Sequence, residues 1–210
     1  SGGYIGGGLY HSQSIEGALS TFPGVRIVYP SFADDAAGLL RTSMRSEGFT
    51  MFMEPKALYN SPIAATPVPD DFEVPFGKAR IRREGNDLSV ITYGNTTHMC
   101  LQAANKIGLE QGFNIEVIDL RSLVPLDKET ILNSVKKTGK VLIVHEDKVF
   151  SGFGAELSAS ITEEAFEYLD GPVRRIGSTF TPVGFNRILE KAILPSLEKI
   201  EEGMTKLLNY

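Results

Sequence analysis

His11 is the residue of this chain best placed by type and setting for proton chemistry. It follows a glycine-rich stretch, Ser1-Gly2-Gly3-Tyr4-Ile5-Gly6-Gly7-Gly8, in the string Leu9-Tyr10-His11-Ser12-Gln13. An imidazole titrates near pH 6.5 and exchanges protons at neutral pH. Loops held on a rigid scaffold often carry function. On residue type alone, His11 reads equally well as a structural loop residue. His98 falls inside a predicted helix and reads as structural. His145, followed by Glu146, closes a predicted parallel strand, the end at which α/β folds place ligands. Its ring reads as hydrogen-bonded to a neighbour. No two histidines have metal-ligand spacing and Cys100 has no CxxC partner, so no metal site is expected.

Other residue patterns exclude chemistry rather than suggest it. The acidic pairs Asp34-Asp35, Asp70-Asp71 and Glu201-Glu202 are sequence neighbours, and adjacent residues on a helix do not share a face. Asp34 and Asp35 fall in the first turn of a predicted helix, where negative charge offsets the macrodipole. The other two pairs read as solvated surface. Ser12 lacks a Gly-x-Ser-x-Gly elbow, which argues against a hydrolase. A dinucleotide fingerprint needs a third glycine that His11 displaces in the first glycine run and Leu157 displaces after Gly152-Phe153-Gly154. The second pair is expected to shape a tight turn from strand to helix.

The elements that must position these residues alternate in type. Strands are expected at Val25–Tyr29, Phe49–Met53, Leu88–Tyr93, Ile115–Asp119, Val141–Val144 and Val173–Ile176, with an edge strand at Lys78–Arg82. Helices are expected at about 14–20, capped by Ser14, and at 31–46, capped by Ser31 with Leu39, Leu40 and Met44 on one face. Further helices are expected at 96–112, 126–138, 154–169 and 186–208, the last broken at Pro195. Strands separated by helices of this length imply parallel β-α-β units with right-handed crossovers. Pro62, Pro67, Pro69 and Pro75 make residues 61–76 a predicted linker.

The 210 residues allow one or two domains. The net charge of −5 argues against nucleic-acid or anionic-membrane partners. A hydrophobic content of 42% fits a globular chain. No apolar run is long enough to span a bilayer. A single cysteine fits a reducing compartment, so a cytoplasmic location is expected, or the mitochondrial matrix in a eukaryote. The start carries neither an initiator Met nor a signal peptide, and the chain is expected to be a piece of a longer one.

Several strings occur together in order: Tyr10-His11-Ser12-Gln13-Ser14; Phe52-Met53-Glu54-Pro55-Lys56 with Leu58-Tyr59; Val117-Ile118-Asp119-Leu120-Arg121 with Pro125-Leu126-Asp127; and His145-Glu146 followed by Gly152-Phe153-Gly154-Ala155-Glu156. In this the chain resembles the β subunit of the thiamine-diphosphate-dependent 2-oxo acid dehydrogenases, over essentially its whole length. The resemblance implies the last part of a pyrimidine-binding α/β domain over 1–60, the linker at 61–76, and a transketolase C-terminal-type three-layer α/β domain with a mostly parallel sheet over 77–210.

It also implies oxidative decarboxylation of a 2-oxo acid and acyl transfer to a lipoyl group. The family's catalytic histidine maps onto His11, where it would protonate a departing thiolate or steady developing charge. Tyr10 and Gln13 would lie near substrate and cofactor, with Gln13 orienting the ring. Partners implied are an α subunit or segment, which would hold the diphosphate and magnesium, and a lipoyl-bearing acyltransferase, with self-association of the chain itself. The family's potassium site would fall at Ser43 and Ser46, but the carboxylate expected near Ser46 is missing, which removes a charged oxygen ligand. Ile15 replaces the usual Pro before Glu16, and Phe180 stands where Asp-Thr-Pro is common. Leu9-Tyr10 resembles the branched-chain members, suggesting 2-oxoisovalerate. The alternatives are a pyruvate dehydrogenase β subunit, another transketolase-like enzyme, or a dimerisation and docking module.

Overall fold

Apart from Ser89, Leu88–Thr92 and Val141–Val144 carry aliphatic or β-branched residues on both faces, and a strand of that composition is stable only when both faces are covered. Both are central strands in the computed structural model, which describes residues 1–210. The chain runs α1 (Gly8–His11), α2 (Glu16–Leu19), β1 (Arg26–Val28), α3 (Ala33–Arg45), β2 (Thr50–Phe52), β3 (Arg80–Arg83), β4 (Leu88–Thr92), α4 (Asn95–Gln111), β5 (Ile115–Asp119) and β6 (Ser122–Val124). It continues through α5 (Lys128–Thr138), β7 (Val141–Lys148), α6 (Phe153–Ala165), β8 (Arg174–Ser178), α7 (Arg187–Ile193) and α8 (Leu197–Leu208).

The main sheet has the order β3-β5-β4-β7-β8, all parallel except β3, the edge strand, which runs antiparallel to β5. Its side chains alternate between two cores, as the period of two requires. Leu88, Val90, Val117, Leu142 and Val144 face α4 and α8. Ile91, Ile118, Val141 and Ile143 face α5 and α6. Each fully buried aliphatic side chain contributes about 1.5–3 kcal/mol. Ser89, on the second face, is satisfied by Ser134 and Thr138 of α5 at 2.5 and 2.7 Å. Helix α8 buries Ile200, Met204, Leu207 and Leu208, one stripe of its surface. The α/β class and the three-layer C-terminal architecture are as the sequence led us to expect.

A smaller sheet, β2-β1-β6, joins the first part of the chain to the second. Strand β1 is parallel to β2 and antiparallel to β6. The sequence reading missed β6, three residues immediately after a strand of the other sheet. Residues 61–76 contain one 3-10 turn, Pro62–Ala64, and lie against α3. Arg41 Nη1 donates to Phe72 O at 3.0 Å and Thr42 Oγ1 to Val74 O at 2.9 Å, and Val74 is buried against Leu39.

Three local expectations need correction. Ser31 does not cap α3: its hydroxyl bonds Asp119 Oδ1 at 2.9 Å and Thr97 Oγ1 at 3.0 Å. The first turn of α3 instead donates Asp34 N–H to Thr66 Oγ1 at 2.9 Å. Ser14 does not cap α2, whose Gly17 N–H is taken by the distant Asp147 carboxylate at 3.0 Å. Leu40 and Met44 do not share the buried face of Leu39; they are 47% and 81% exposed. One residue is a 100° step around a helix, so Leu40 and Met44 line up with each other and point away from β1.

Candidate functional site

The glycine-rich start folds onto the carboxyl end of β7 and onto α7. Gly2 N–H donates to Gln13 O at 3.3 Å, closing residues 2–13 into a loop. Gly3 N–H donates to Glu146 Oε2 at 2.9 Å. Gly6 N–H reaches Glu190 Oε2 at 3.1 Å, and Tyr4 Oη donates to Pro195 O at 2.7 Å. The end of the parallel strand, where α/β folds place ligands, is therefore filled by residues 2–6 of the chain. Gly6 has φ +67°, a conformation costly for any residue with a Cβ.

His11 ends the one-turn helix α1 and is exposed. Its carbonyl accepts Lys56 Nζ at 2.5 Å, and its ring has no hydrogen-bond partner within the chain. Tyr10 is 89% exposed. Gln13 is half-buried and makes no bond to His11; its buried amide nitrogen is unpaired. His11 and Tyr10 therefore stand together at the surface, and the expected orienting contact from Gln13 is not made.

Lys56 belongs to the turn 54–59, which also walls a cavity of about 350 Å³ at the carboxyl ends of β1 and β2. Phe32, Phe52, Leu58 and Tyr59 give it an apolar lining, and Glu54 supplies its only carboxylate. Tyr59 Oη donates to Glu54 Oε2 at 2.5 Å. Such a lining suits a flat apolar ring. It does not fit a diphosphate, because no cationic side chain lines it, and no group of three acidic, His or Cys residues in the chain could hold a metal ion. Ser43 and Ser46 turn their hydroxyls back onto Leu39 O and Thr42 O, each at 2.7 Å. They offer no charged ligand for potassium.

The other sequence candidates are buried. His145 Nδ1 bonds Asp147 O at 3.1 Å, and its ring lies nearly parallel to Tyr93. Burial pushes its pKa down to about 4, so it is neutral at pH 7. His98 Nε2 meets Ser31 O at 2.7 Å, and burial lowers its pKa too. Burial raises the Cys100 thiol to about 12, which removes it as a nucleophile. Asp34 and Asp35 divide their roles: Asp34 receives Thr66 and Arg80, whereas Asp35 is wholly buried against Arg82 and Arg121.

Four carboxylates that sequence reasoning assigned no role gather beneath the loop. Burial raises Glu146 to about 7 and raises Glu16, which also faces the negative Asp147. Asp147 is itself raised, chiefly by burial. Glu16 Oε1 accepts from Tyr93 Oη at 3.1 Å, while its Oε2 is unpaired. Glu190, on α7, is the fourth. The contacts that tie them to the loop, to α2 and to Tyr93 span 77 to 185 residues, so no local spacing announces them.

Comparison with known proteins bears on this geometry. Residues 77–200 match the family model described as "Transketolase, C-terminal domain". The chain is 42% identical over 204 residues to the mitochondrial 2-oxoisovalerate dehydrogenase subunit beta of Dictyostelium discoideum, covering 97% of this chain and 54% of that protein. It is 39% identical over 202 residues to the mitochondrial pyruvate dehydrogenase E1 component subunit beta-1 of Arabidopsis thaliana, covering 95% of this chain and 55% of that protein. The chain thus spans a little over half the length of these two relatives. Among solved structures, "Split gene transketolase, inactive beta4 tetramer" superposes with a TM-score of 0.78 at 21% identity, over 95% of this chain and 62% of that one, which is a likeness of fold.

Proposed function

The chain belongs to the transketolase C-terminal-domain family, and on that footing we propose that it is part of the β subunit of a thiamine-diphosphate-dependent 2-oxo acid dehydrogenase acting on branched-chain 2-oxo acids. One observation carries the reading. His11 stands exposed on a loop clamped to the C-terminal layer, and Lys56, which holds its carbonyl, sits on the turn that walls the apolar cavity.

When bound, thiamine diphosphate supplies the electron sink for decarboxylation. This chain's part is to wall the apolar side of its pocket with Phe32, Phe52 and Tyr59. The diphosphate and its magnesium are left to an α subunit or segment. His11 offers a ring free of internal hydrogen-bond partners, and its nitrogen would give a proton to the sulfur that is released as a thiolate, still attached to the lipoyl chain, when the disulfide of the second component's lipoyl group opens. General acid catalysis of this kind accelerates a step by about 10²–10⁴-fold.

The branched-chain reading rests on Leu9-Tyr10 and on the 42% identity to the slime-mould relative. A pyruvate enzyme is the second reading, favoured by the 39% identity to the plant protein. The two acids differ by a few methyl groups, worth about 1–3 kcal/mol in a pocket. The test uses the full-length chain assembled with its α partner. Carbon dioxide release from 2-oxoisovalerate is compared with release from pyruvate, and acyl transfer to a lipoyl domain is followed with and without His11→Ala. Preference for the branched acid, with transfer lost in the variant, is the expected result. Preference for pyruvate selects the second reading, and turnover of neither acid overturns both.

A further inference from the structure

Glu190 lies 179 residues from His11 in sequence, yet its carboxylate is the hub of the loop that presents His11. Its Oε1 accepts Ile5 N–H at 3.2 Å, Gly6 N–H at 3.2 Å and Ser12 Oγ–H at 3.3 Å; its Oε2 accepts Gly6 N–H at 3.1 Å. Ser12 is the residue after His11, and its Oγ also accepts Gly7 N–H at 3.0 Å. The carboxylate therefore grips the loop on both sides of Tyr10-His11. Two further contacts on the same side reinforce it. Tyr4, held at φ +65°, anchors its hydroxyl on Pro195 O, and Gly3 approaches Leu194 so closely that a Cβ there would collide with it.

We propose that Glu190 is a positioning residue for His11, fixing from the C-terminal layer the loop that carries an imidazole with no hydrogen-bond partner of its own in the chain. The geometry makes α7 a brace. Its Asn186 cap accepts Ile188 N–H at 2.8 Å, its Leu194 is buried, and Glu190 is only 4% exposed. Backbone N–H groups meeting an ionised carboxylate make bonds about twice as strong as neutral ones. A carboxamide at the same place keeps one acceptor but turns an NH₂ toward donors. A shift of about 1 Å in a reacting group costs up to about 10²-fold in rate.

This inference rests on the reading of His11 as the acid of the acyl-transfer step. The test compares Glu190→Gln, Glu190→Asp and Ser12→Ala with His11→Ala in the full-length chain assembled with its α partner, with the exposed Glu163→Gln as control. Glu190→Gln is expected to slow transfer to a lipoyl domain about 10- to 100-fold. The KM for the 2-oxo acid, and carbon dioxide release with an artificial electron acceptor, should stay at parental values. Glu190→Asp should recover part of the transfer, and Ser12→Ala should share the loss in smaller degree. Amide hydrogen exchange over residues 3–12 should quicken in Glu190→Gln alone or with Ser12→Ala, and not in Glu163→Gln. Parental transfer and parental exchange in Glu190→Gln overturn the inference while leaving His11 standing. Faster exchange with unchanged transfer also overturns it, reducing Glu190 to a structural tie. If His11→Ala itself transfers acyl groups normally, the reading of His11 falls first, and Glu190 has nothing to position. If Glu190→Gln does not fold by circular dichroism, Glu190→Asp and Ser12→Ala carry the same comparison.

Discussion

Arg121 Nη1 lies 2.8 Å from Asp35 Oδ1, tying helix α3 to the turn between the two sheets with both groups buried. Arg82 contacts the other oxygen of Asp35 and also Asp119 at 2.8 Å, so two carboxylates face two guanidiniums and the charges cancel. The Arg82 guanidinium sits 4.0 Å over the Phe32 ring, and Arg121 also donates to Lys78 O and Ala79 O. Removing one partner of a buried pair leaves an uncompensated charge and costs about 3–5 kcal/mol. Asp35→Asn is expected to lose that much in urea unfolding of the full-length chain. Arg80→Ala, which breaks a half-exposed pair with Asp34 at 3.1 Å and a longer 3.9 Å approach to Asp35 while leaving Arg82 and Arg121 on Asp35, should lose about 0–1 kcal/mol. Equal losses in the two variants would show that the network carries no special weight.

Gly154 in α6 packs directly on the His145 ring, and a Cβ built there would fall onto the imidazole. Overpacking of this kind costs about 1–3 kcal/mol. Gly154→Ala is expected to destabilise the chain by about that amount, and the penalty should shrink when His145→Ala opens the space. A double-mutant cycle by denaturant unfolding measures the coupling. An additive result would mean that the penalty at Gly154 does not come from the His145 ring.

Asp127 caps α5 and serves a second element as well. Its Oδ1 accepts Thr130 N–H at 3.2 Å, and its Oδ2 accepts Ala79 N–H at 2.8 Å. A lost cap costs about 1 kcal/mol, and a lost bond to a partly buried backbone donor about 1 kcal/mol more. Asp127→Ala should therefore lose about 2 kcal/mol, and Asp127→Asn clearly less. Equal stabilities by thermal or denaturant unfolding would refute the double role.

The elements were legible where one periodicity dominated. The central strands β4, β5 and β7 carry runs of buried aliphatic residues such as Val90-Ile91, Val117-Ile118 and Val141–Val144, and the break at Pro195 falls between α7 and α8. Roles set by distant partners were not. Ser31 has the residue type of a cap, but Asp119 and Thr97, brought up from other elements, take its hydroxyl. Val117-Ile118-Asp119-Leu120-Arg121 was recognisable as a string, but nothing local says that Asp119 and Arg121 close a charge network with α3. His145 read correctly as a ring bonded to a neighbour. Glu16, Asp147 and Glu190 escaped notice because each acts on a backbone or hydroxyl group far along the chain.

The buried groups around His145 and Glu146 make stability depend on pH in opposite directions. His145 titrates at about 4 in the folded chain against about 6.5 when exposed. Between those values the unfolded chain binds the extra proton, so this residue destabilises the fold as pH falls from 6.5 toward 4. Glu146 titrates at about 7 in the folded chain against an ordinary 4.5, pushed up by burial and by the negative charge of Glu190. Here the folded chain keeps the proton longer, so its contribution is complete below pH 4.5 and is lost as pH rises through 7. Glu16 acts in the same direction as Glu146. Glu146→Gln removes one titration and preserves an acceptor for Gly3 N–H. Its stability should match the parent near pH 5 and exceed it at pH 8 by at most about 3 kcal/mol. Urea unfolding of both proteins at the two pH values checks this. A variant whose disadvantage or advantage stays constant across that range would show that Glu146 is already ionised in the folded chain at pH 5.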